Sequence, residues 1–67
     1  MDYVTARERI MNSTDISDYV KGYYIAVLNL YKNLGSEMYE RYDERTVDLV
    51  RSWCKGSLYG SGVEDCL

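Results

Sequence analysis

The apolar residues of this chain recur with the period of an α-helix. In the middle of the chain, six of them follow one another at intervals of 4, 3, 4, 3 and 4 residues: Ile16, Val20, Tyr23, Val27, Leu30 and Leu34. Such heptad spacing places side chains on one face of an α-helix. The chain has no proline to interrupt a helix, and its apolar residues lack the two-residue alternation of β-strands. The sequence therefore predicts an all-α fold.

Polar capping residues set the limits of the first two predicted helices. The first spans residues 3–12 with Asp2 as its N-cap, and the cluster Asn12-Ser13-Thr14-Asp15 ends it because these side chains compete for backbone hydrogen bonds. The second spans residues 15–34. Gly35 follows it, and we expect this residue to adopt the left-handed conformation that often ends helices.

The third predicted helix runs without a break over residues 37–55, with Ser36 as its cap. Because the turn between the two long helices is short, they should lie antiparallel as a hairpin. Residues 1–55 then form one helical domain, with a short N-terminal helix before the hairpin. The Gly- and Ser-rich residues 56–67 are expected to form a disordered tail.

The two long helices carry more apolar surface than a hairpin buries, since each has an apolar arc of about 200° and a two-helix contact covers a narrow stripe. The expected core of the hairpin includes aromatic residues of both helices: Tyr19, Tyr23, Tyr39, Tyr42 and Trp53. The rest of the arc is predicted to line an interface between subunits: Tyr24, Leu28, Tyr31, Val47 and Leu58. A chain of 67 residues has a small core of its own. We therefore expect a homo-oligomeric helical bundle.

The charge pattern argues against binding to duplex nucleic acid. Residues 1–34 carry four acids and four bases, whereas residues 35–67 carry seven acids and four bases, which accounts for the net charge of −3. Without a basic cluster the chain gains little from counterion release. The polar start MDYVTARER does not resemble a signal peptide, and the apolar stretch 19–34 is too short and polar to cross a bilayer. We expect a cytoplasmic protein, in the host cytoplasm if a phage encodes it.

Catalysis is not expected, because the chain has no histidine and no Ser or Cys beside an obvious base. Cys54 and Cys66 are too few for a disulfide scaffold or a zinc site. Whether they are bridged stays open, with reduced thiols expected. The carboxylate pairs of Glu40, Glu44 and Asp48 are expected to form a solvated acidic face, and we predict no metal and no cofactor.

A second group of residues combines aromatic rings with cations and is a candidate ligand site: Tyr3, Arg7, Lys21 and Tyr24. An aromatic surface beside a cation suits a nucleobase and its phosphate. In an oligomer, these residues of neighbouring subunits would enclose a small anionic nucleotide. The alternative is that Arg7 and Lys21 are solubilising residues whose stems cover apolar surface.

In size and composition the chain resembles the small acidic accessory proteins of phages and mobile elements, which often act by stoichiometric binding. The resemblance implies a non-catalytic binding protein that inhibits a host defence component through a Tyr-rich helical face. One alternative is an oligomeric sponge for a cyclic oligonucleotide, because phage-encoded sponges are similar helical oligomers. A further alternative is an antitoxin whose acidic second half neutralises a basic toxin.

Overall fold

The computed structural model describes residues 2–67, and the predicted all-α fold is confirmed over this range. The helices are α1 (Tyr3–Asn12), α2 (Asp18–Lys32), α3 (Ser36–Arg41), α4 (Glu44–Ser57) and a C-terminal 3₁₀ helix (Glu64–Cys66). No helix within residues 2–67 combines the length and the hydropathy needed to cross a lipid bilayer.

Three of the α-helices begin at a side chain that caps the first turn. Asp2 accepts a backbone N–H of α1 at 3.1 Å, Ser17 one of α2 at 3.3 Å, and Asp43 one of α4 at 2.7 Å. Each bond satisfies an N–H that has no partner inside its helix. For Asp2 and Asp43, the accepted hydrogen bonds also lower the pKa of the carboxyl below its ordinary value.

The second helix differs from its predicted range of 15–34. It begins at Asp18 because Ser17, rather than a residue of the preceding polar cluster, provides the cap. Gly35 is not left-handed, since its φ is −100°, and the chain leaves α2 with ordinary backbone angles. Gly35 is also the N-cap residue of α3, and Ser36 is already helical, which corrects the predicted cap.

The third predicted helix is not continuous over residues 37–55. Tyr42 is extended, with φ −129° and ψ 153°, and separates α3 from α4. The break has a local cause, because the side chain of Asp43 accepts the backbone N–H of Thr46. Aspartate is a poor residue inside a helix and a strong N-cap, so the chain starts a new helix here.

The core lies between α1, α2, α4 and the C-terminal segment, with α2 in contact with both other helices. Its buried apolar residues come from all of these elements: Ala6, Ile10, Val27, Leu28, Leu34, Val47, Cys54, Leu58 and Val63. Leu28, Val47 and Leu58, which the sequence assigns to a subunit interface, are thus buried inside the chain, and the prediction is corrected. The aliphatic half of each long apolar arc packs with α1 and the C-terminal segment.

The C-terminal residues are folded, in contrast to the disordered tail predicted for 56–67. Leu58 and Val63 are fully buried in the core. Between them the chain turns sharply at Gly60 and Gly62, both with a φ of 87°. Glycine adopts this angle without the steric cost of a Cβ atom, so the glycines that suggested disorder form the turn.

Polar contacts hold the C-terminal segment against the start of the chain. The backbone N–H of Asp2 donates to the carbonyl of Cys66 at 3.1 Å. Arg9 Nη1 lies 2.6 Å from Asp65 Oδ1 in an exposed ion pair, and this hydrogen bond lowers the pKa of Asp65. The 3₁₀ helix is thereby docked on α1.

Candidate functional site

The aromatic residues predicted to form the core lie at the surface. Tyr19 is 89% exposed, and four others are between 40% and 54% exposed: Tyr23, Tyr39, Tyr42 and Trp53. One apolar side of α2 and α4 is buried with Leu28 and Leu58, whereas the other is exposed with these aromatic residues and with Leu30 and Leu49. Tyrosine and tryptophan have a polar group that water satisfies, so their exposure costs less than that of an aliphatic side chain of similar size.

Part of this exposed surface lies on α2, on α4 and at the break between α3 and α4, and we call it the open face. We define it by five large side chains that are 40% to 64% exposed: Tyr23 and Leu30 of α2, Tyr42 before α4, and Leu49 and Trp53 of α4. None of the five is an Asp, Glu, Lys or Arg residue. The open face is therefore large, aromatic and uncharged.

A groove of about 230 Å³ lies in the open face where the three helices meet. Its lining is uncharged and comes from α2, α3, the break and α4: Leu30, Leu34, Met38, Tyr42, Thr46, Val47 and Val50. The break contributes directly to this groove, because the extended residue Tyr42 lines it together with Met38 of α3. The groove therefore includes the part of the chain where the sequence predicted a continuous helix.

A polar cluster holds α3 in place beside the groove. Arg51 of α4 donates from Nη1 to the hydroxyl of Tyr39 at 2.9 Å and from Nη2 to the carbonyl of Leu34 at 3.2 Å. The Tyr39 hydroxyl donates to Asp48 at 3.3 Å, and the Arg51 guanidinium lies 5.8 Å from the centre of the Tyr39 ring. These contacts connect α4 with α3 and with the turn between α2 and α3, and they fix the position of the groove wall.

Two residues of the predicted ligand site lie at opposite ends of the α1–α2 pair. The Tyr3 hydroxyl donates to Asn29, and Lys32 Nζ lies 4.4 Å from the centre of the Tyr3 ring. Lys21 Nζ instead donates to the carbonyl of Met11 at 3.1 Å. The helices are therefore antiparallel, and positions 3 and 11 of α1 are about 12 Å apart along the helix axis.

The other two residues of that set are also separate within one chain. Arg7 is exposed on α1, whereas Tyr24 is half-buried against the core, with its ring 5.8 Å from that of Tyr23. Tyr31, predicted with Tyr24 to line a subunit interface, is half-buried too, and its hydroxyl donates to the carbonyl of Leu67 at 3.4 Å. One chain does not bring the predicted ligand residues together, and a site shared between subunits stays a prediction.

The acidic residues of α4 lie around a wide, shallow depression at the start of the helix. Its lining includes Asp43, Glu44 and Asp48 together with Arg45. The Asp43 carboxylate is already engaged as the cap of α4. Within residues 2–67 there is no group of three or more Cys, Asp or Glu side chains placed to hold a metal ion.

Both cysteines are free thiols, and they differ in environment. Cys54 is fully buried in the core, and this burial raises the pKa of its thiol. Cys66 is half-buried in the C-terminal 3₁₀ helix. A protonated, buried thiol behaves as a small apolar side chain, so Cys54 contributes packing.

The open face was missed at the sequence level although its residues were identified as apolar. The available indication was chemical, because Tyr23, Tyr42 and Trp53 are large aromatic residues with polar tips. Aromatic residues with polar tips are enriched in protein interfaces.

The chain matches no protein-family model, no curated protein and no solved structure.

Proposed function

We propose that the chain is a small non-catalytic binding protein that inhibits a host defence component by stoichiometric association. In this proposal the helical hairpin formed by α2 with α3 and α4 assembles as a homo-oligomeric bundle. The observation that supports association is the open face, with Tyr23, Tyr42 and Trp53 at its surface. In this proposal complex formation itself causes the inhibition, so each assembly inhibits one target molecule.

The size and chemistry of the open face favour a role in binding. Exposed apolar side chains scattered singly are ordinary on a protein surface, whereas a contiguous patch of several hundred Å² marks an interaction site. Leu30 and Tyr42 line one groove, Leu49 and Trp53 lie within one helical turn of its lining, and Tyr23 lies about two turns before Leu30 on α2. Trp and Tyr also supply most of the strong contacts in measured interfaces.

The proposal is tested by mixing the purified chain with a panel of defence effectors. Size-exclusion chromatography with light scattering should show one complex of fixed stoichiometry, and effector activity should fall in proportion to the chain added. Trp53→Ala should weaken that complex by about 10-fold or more, because truncation of a central aromatic residue of the open face costs about 2 kcal/mol or more in the association that forms the assembly.

Tyr59→Ala is the matched control for this substitution. Tyr59 is 80% exposed beyond the end of α4 and lies outside the open face. Its truncation should change the affinity less than about 2-fold. A panel in which no effector is bound or inhibited contradicts the proposed function, as does full inhibition by the Trp53→Ala variant.

A further inference from the structure

We infer that the open face binds a second copy of this chain about a two-fold axis, with Trp53 of each copy seated in the groove of the other. The inference rests on the proposed function in one respect only, because both take the chain to act by association. It identifies the dimer as the unit that meets a target.

The open face contains a projecting side chain and a groove of matching size. Trp53 is 54% exposed, and it lies on α4 one turn beyond Val50, which lines the groove. Cavities of about 150 Å³ hold a benzene molecule. A groove of about 230 Å³ therefore has room for an indole ring.

A projection and a groove on the same surface are what a two-fold dimer requires. In such an isologous interface, each copy offers the same patch, and every contact occurs twice. The indole of one copy would contact the groove walls at Met38 and Tyr42 of the other, and the reciprocal contact would follow by symmetry. One surface on each copy therefore supplies both the projecting ring and the groove that receives it.

The charge distribution also favours a second copy as the occupant. The residues that line the groove at the centre of the open face are uncharged, whereas Leu49 at its edge also borders the depression lined by Glu44 and Asp48. Two copies, each with a net charge of −3, can therefore meet without placing like charges against each other at the centre. Homodimer interfaces are more apolar than the contacts of transient partners, at about 65% apolar area.

The exposed apolar area agrees with what a small dimer needs. A buried aromatic side chain contributes about 150 to 250 Å², and the exposed fractions of the open face then amount to roughly 500 Å² per chain. A standard interface buries about 800 Å² per partner, of which about 65%, or roughly 520 Å², is apolar in homodimers. The open face can supply that apolar area.

Trp53 is the only tryptophan of the chain, so its fluorescence reports on this interface alone. We expect the wild-type emission to move to shorter wavelength as the concentration rises from nanomolar to high micromolar. Sedimentation velocity over the same range should show the change from monomer to dimer. The two transitions should coincide, because the indole leaves water when the dimer forms.

Two variants separate the projection from the groove. Trp53→Ala removes the projecting ring, and Thr46→Lys places a charged side chain in the groove while keeping Trp53. Each should weaken the dimer by roughly 100-fold or more, since symmetry repeats the substitution. The matched control is Thr14→Lys, which makes the same change at an exposed residue between α1 and α2 and should dimerise like the wild type.

Mixing the two variants gives the sharpest test. The Trp53→Ala chain has an intact groove and no tryptophan, so it should accept Trp53 of the Thr46→Lys chain and shift that emission to shorter wavelength. Circular dichroism of each variant confirms that the helices are retained. If each copy seats its Trp53 in the groove of the other, the two variants should form a mixed dimer. Its affinity should lie between that of the wild-type dimer and those of the single-variant dimers.

The outcomes distinguish this inference from the proposed function. A wild-type chain that stays monomeric at high micromolar concentration overturns the inference, even if it binds and inhibits a target. A mixture without an emission shift also overturns it, since the reciprocal contact is then absent. A dimer with the expected recovery that inhibits no effector supports the inference and contradicts the proposed function.

Discussion

Replacing Leu58 by alanine tests whether this residue belongs to the core or to an interface between subunits. Leu58 is fully buried between α4 and the C-terminal segment, so the substitution removes apolar contacts and leaves a cavity. Buried Leu→Ala changes cost about 2.7 to 5 kcal/mol. At about 0.05 to 0.15 kcal/mol per residue, a chain of this length has a total stability of about 3 to 10 kcal/mol. The substitution should therefore remove about a quarter or more of the free energy of unfolding.

Leu49→Ala is the same chemical change on the open face. Leu49 is 64% exposed, so the lost burial is about a third of the 1.5 to 3 kcal/mol of a fully buried side chain, or under about 1 kcal/mol. Urea unfolding should be followed at a concentration where the chain is monomeric. With a slope of about 1 kcal/mol per molar urea, the midpoint should fall by about 3 M for Leu58→Ala and by under about 1 M for Leu49→Ala.

Sedimentation measurements on the same two variants complete the comparison. We expect Leu49→Ala to weaken self-association while the monomer stays folded. The reasoning is refuted if Leu58→Ala loses under about 1 kcal/mol of stability yet no longer self-associates. Leu58 would then belong to a subunit interface, as the sequence predicted.

Three further predictions concern local features of the fold. Capping lowers the pKa of Asp43, so its contribution to the stability of α4 is present above pH about 4 and is lost as the pH falls through the lowered pKa. Asp43→Ala should remove this part of the acid unfolding transition, as followed by circular dichroism. The control variant Asp15→Ala should retain it. Val63→Ala should cost about 2 kcal/mol in urea unfolding and speed proteolysis after residue 58, whereas an unchanged cleavage rate would contradict the buried position of Val63. Iodoacetamide should label Cys66 in the native protein and Cys54 only after unfolding, which intact mass spectrometry can check; equal labelling rates would show that Cys54 is accessible.

The helical class and the cap at Asp2 were predictable because both depend on local sequence. The sequence alone did not predict which side of each helix faces the core. A helical wheel gives the width of an apolar arc, but the half that is buried depends on which neighbour packs there. Here α1 and the C-terminal segment cover Leu28 and Leu58, and Tyr23 and Trp53 are left at the surface.

The break before α4 and the folded C-terminus show two other limits of prediction from sequence. The apolar period continues through Tyr42 as if the helix did not end, and the break depends on one hydrogen bond to Asp43. Gly60 and Gly62 have the composition of a flexible tail, yet their positive φ angles form the turn that returns Val63 to the core. In both places the backbone angles of one or two residues determined the structure, and the apolar period or the composition of the surrounding sequence did not predict them.

The contact between Asp2 and Cys66 joins two segments that are far apart in the sequence. Short helices ordinarily open locally and independently, but here opening of the 3₁₀ helix removes a hydrogen-bond partner of the residue that caps α1. The ion pair of Arg9 with Asp65 adds a second link between the same two elements. Opening of the first turn of α1 and opening of the 3₁₀ helix should therefore be one shared event, with similar protection of their amides in hydrogen exchange.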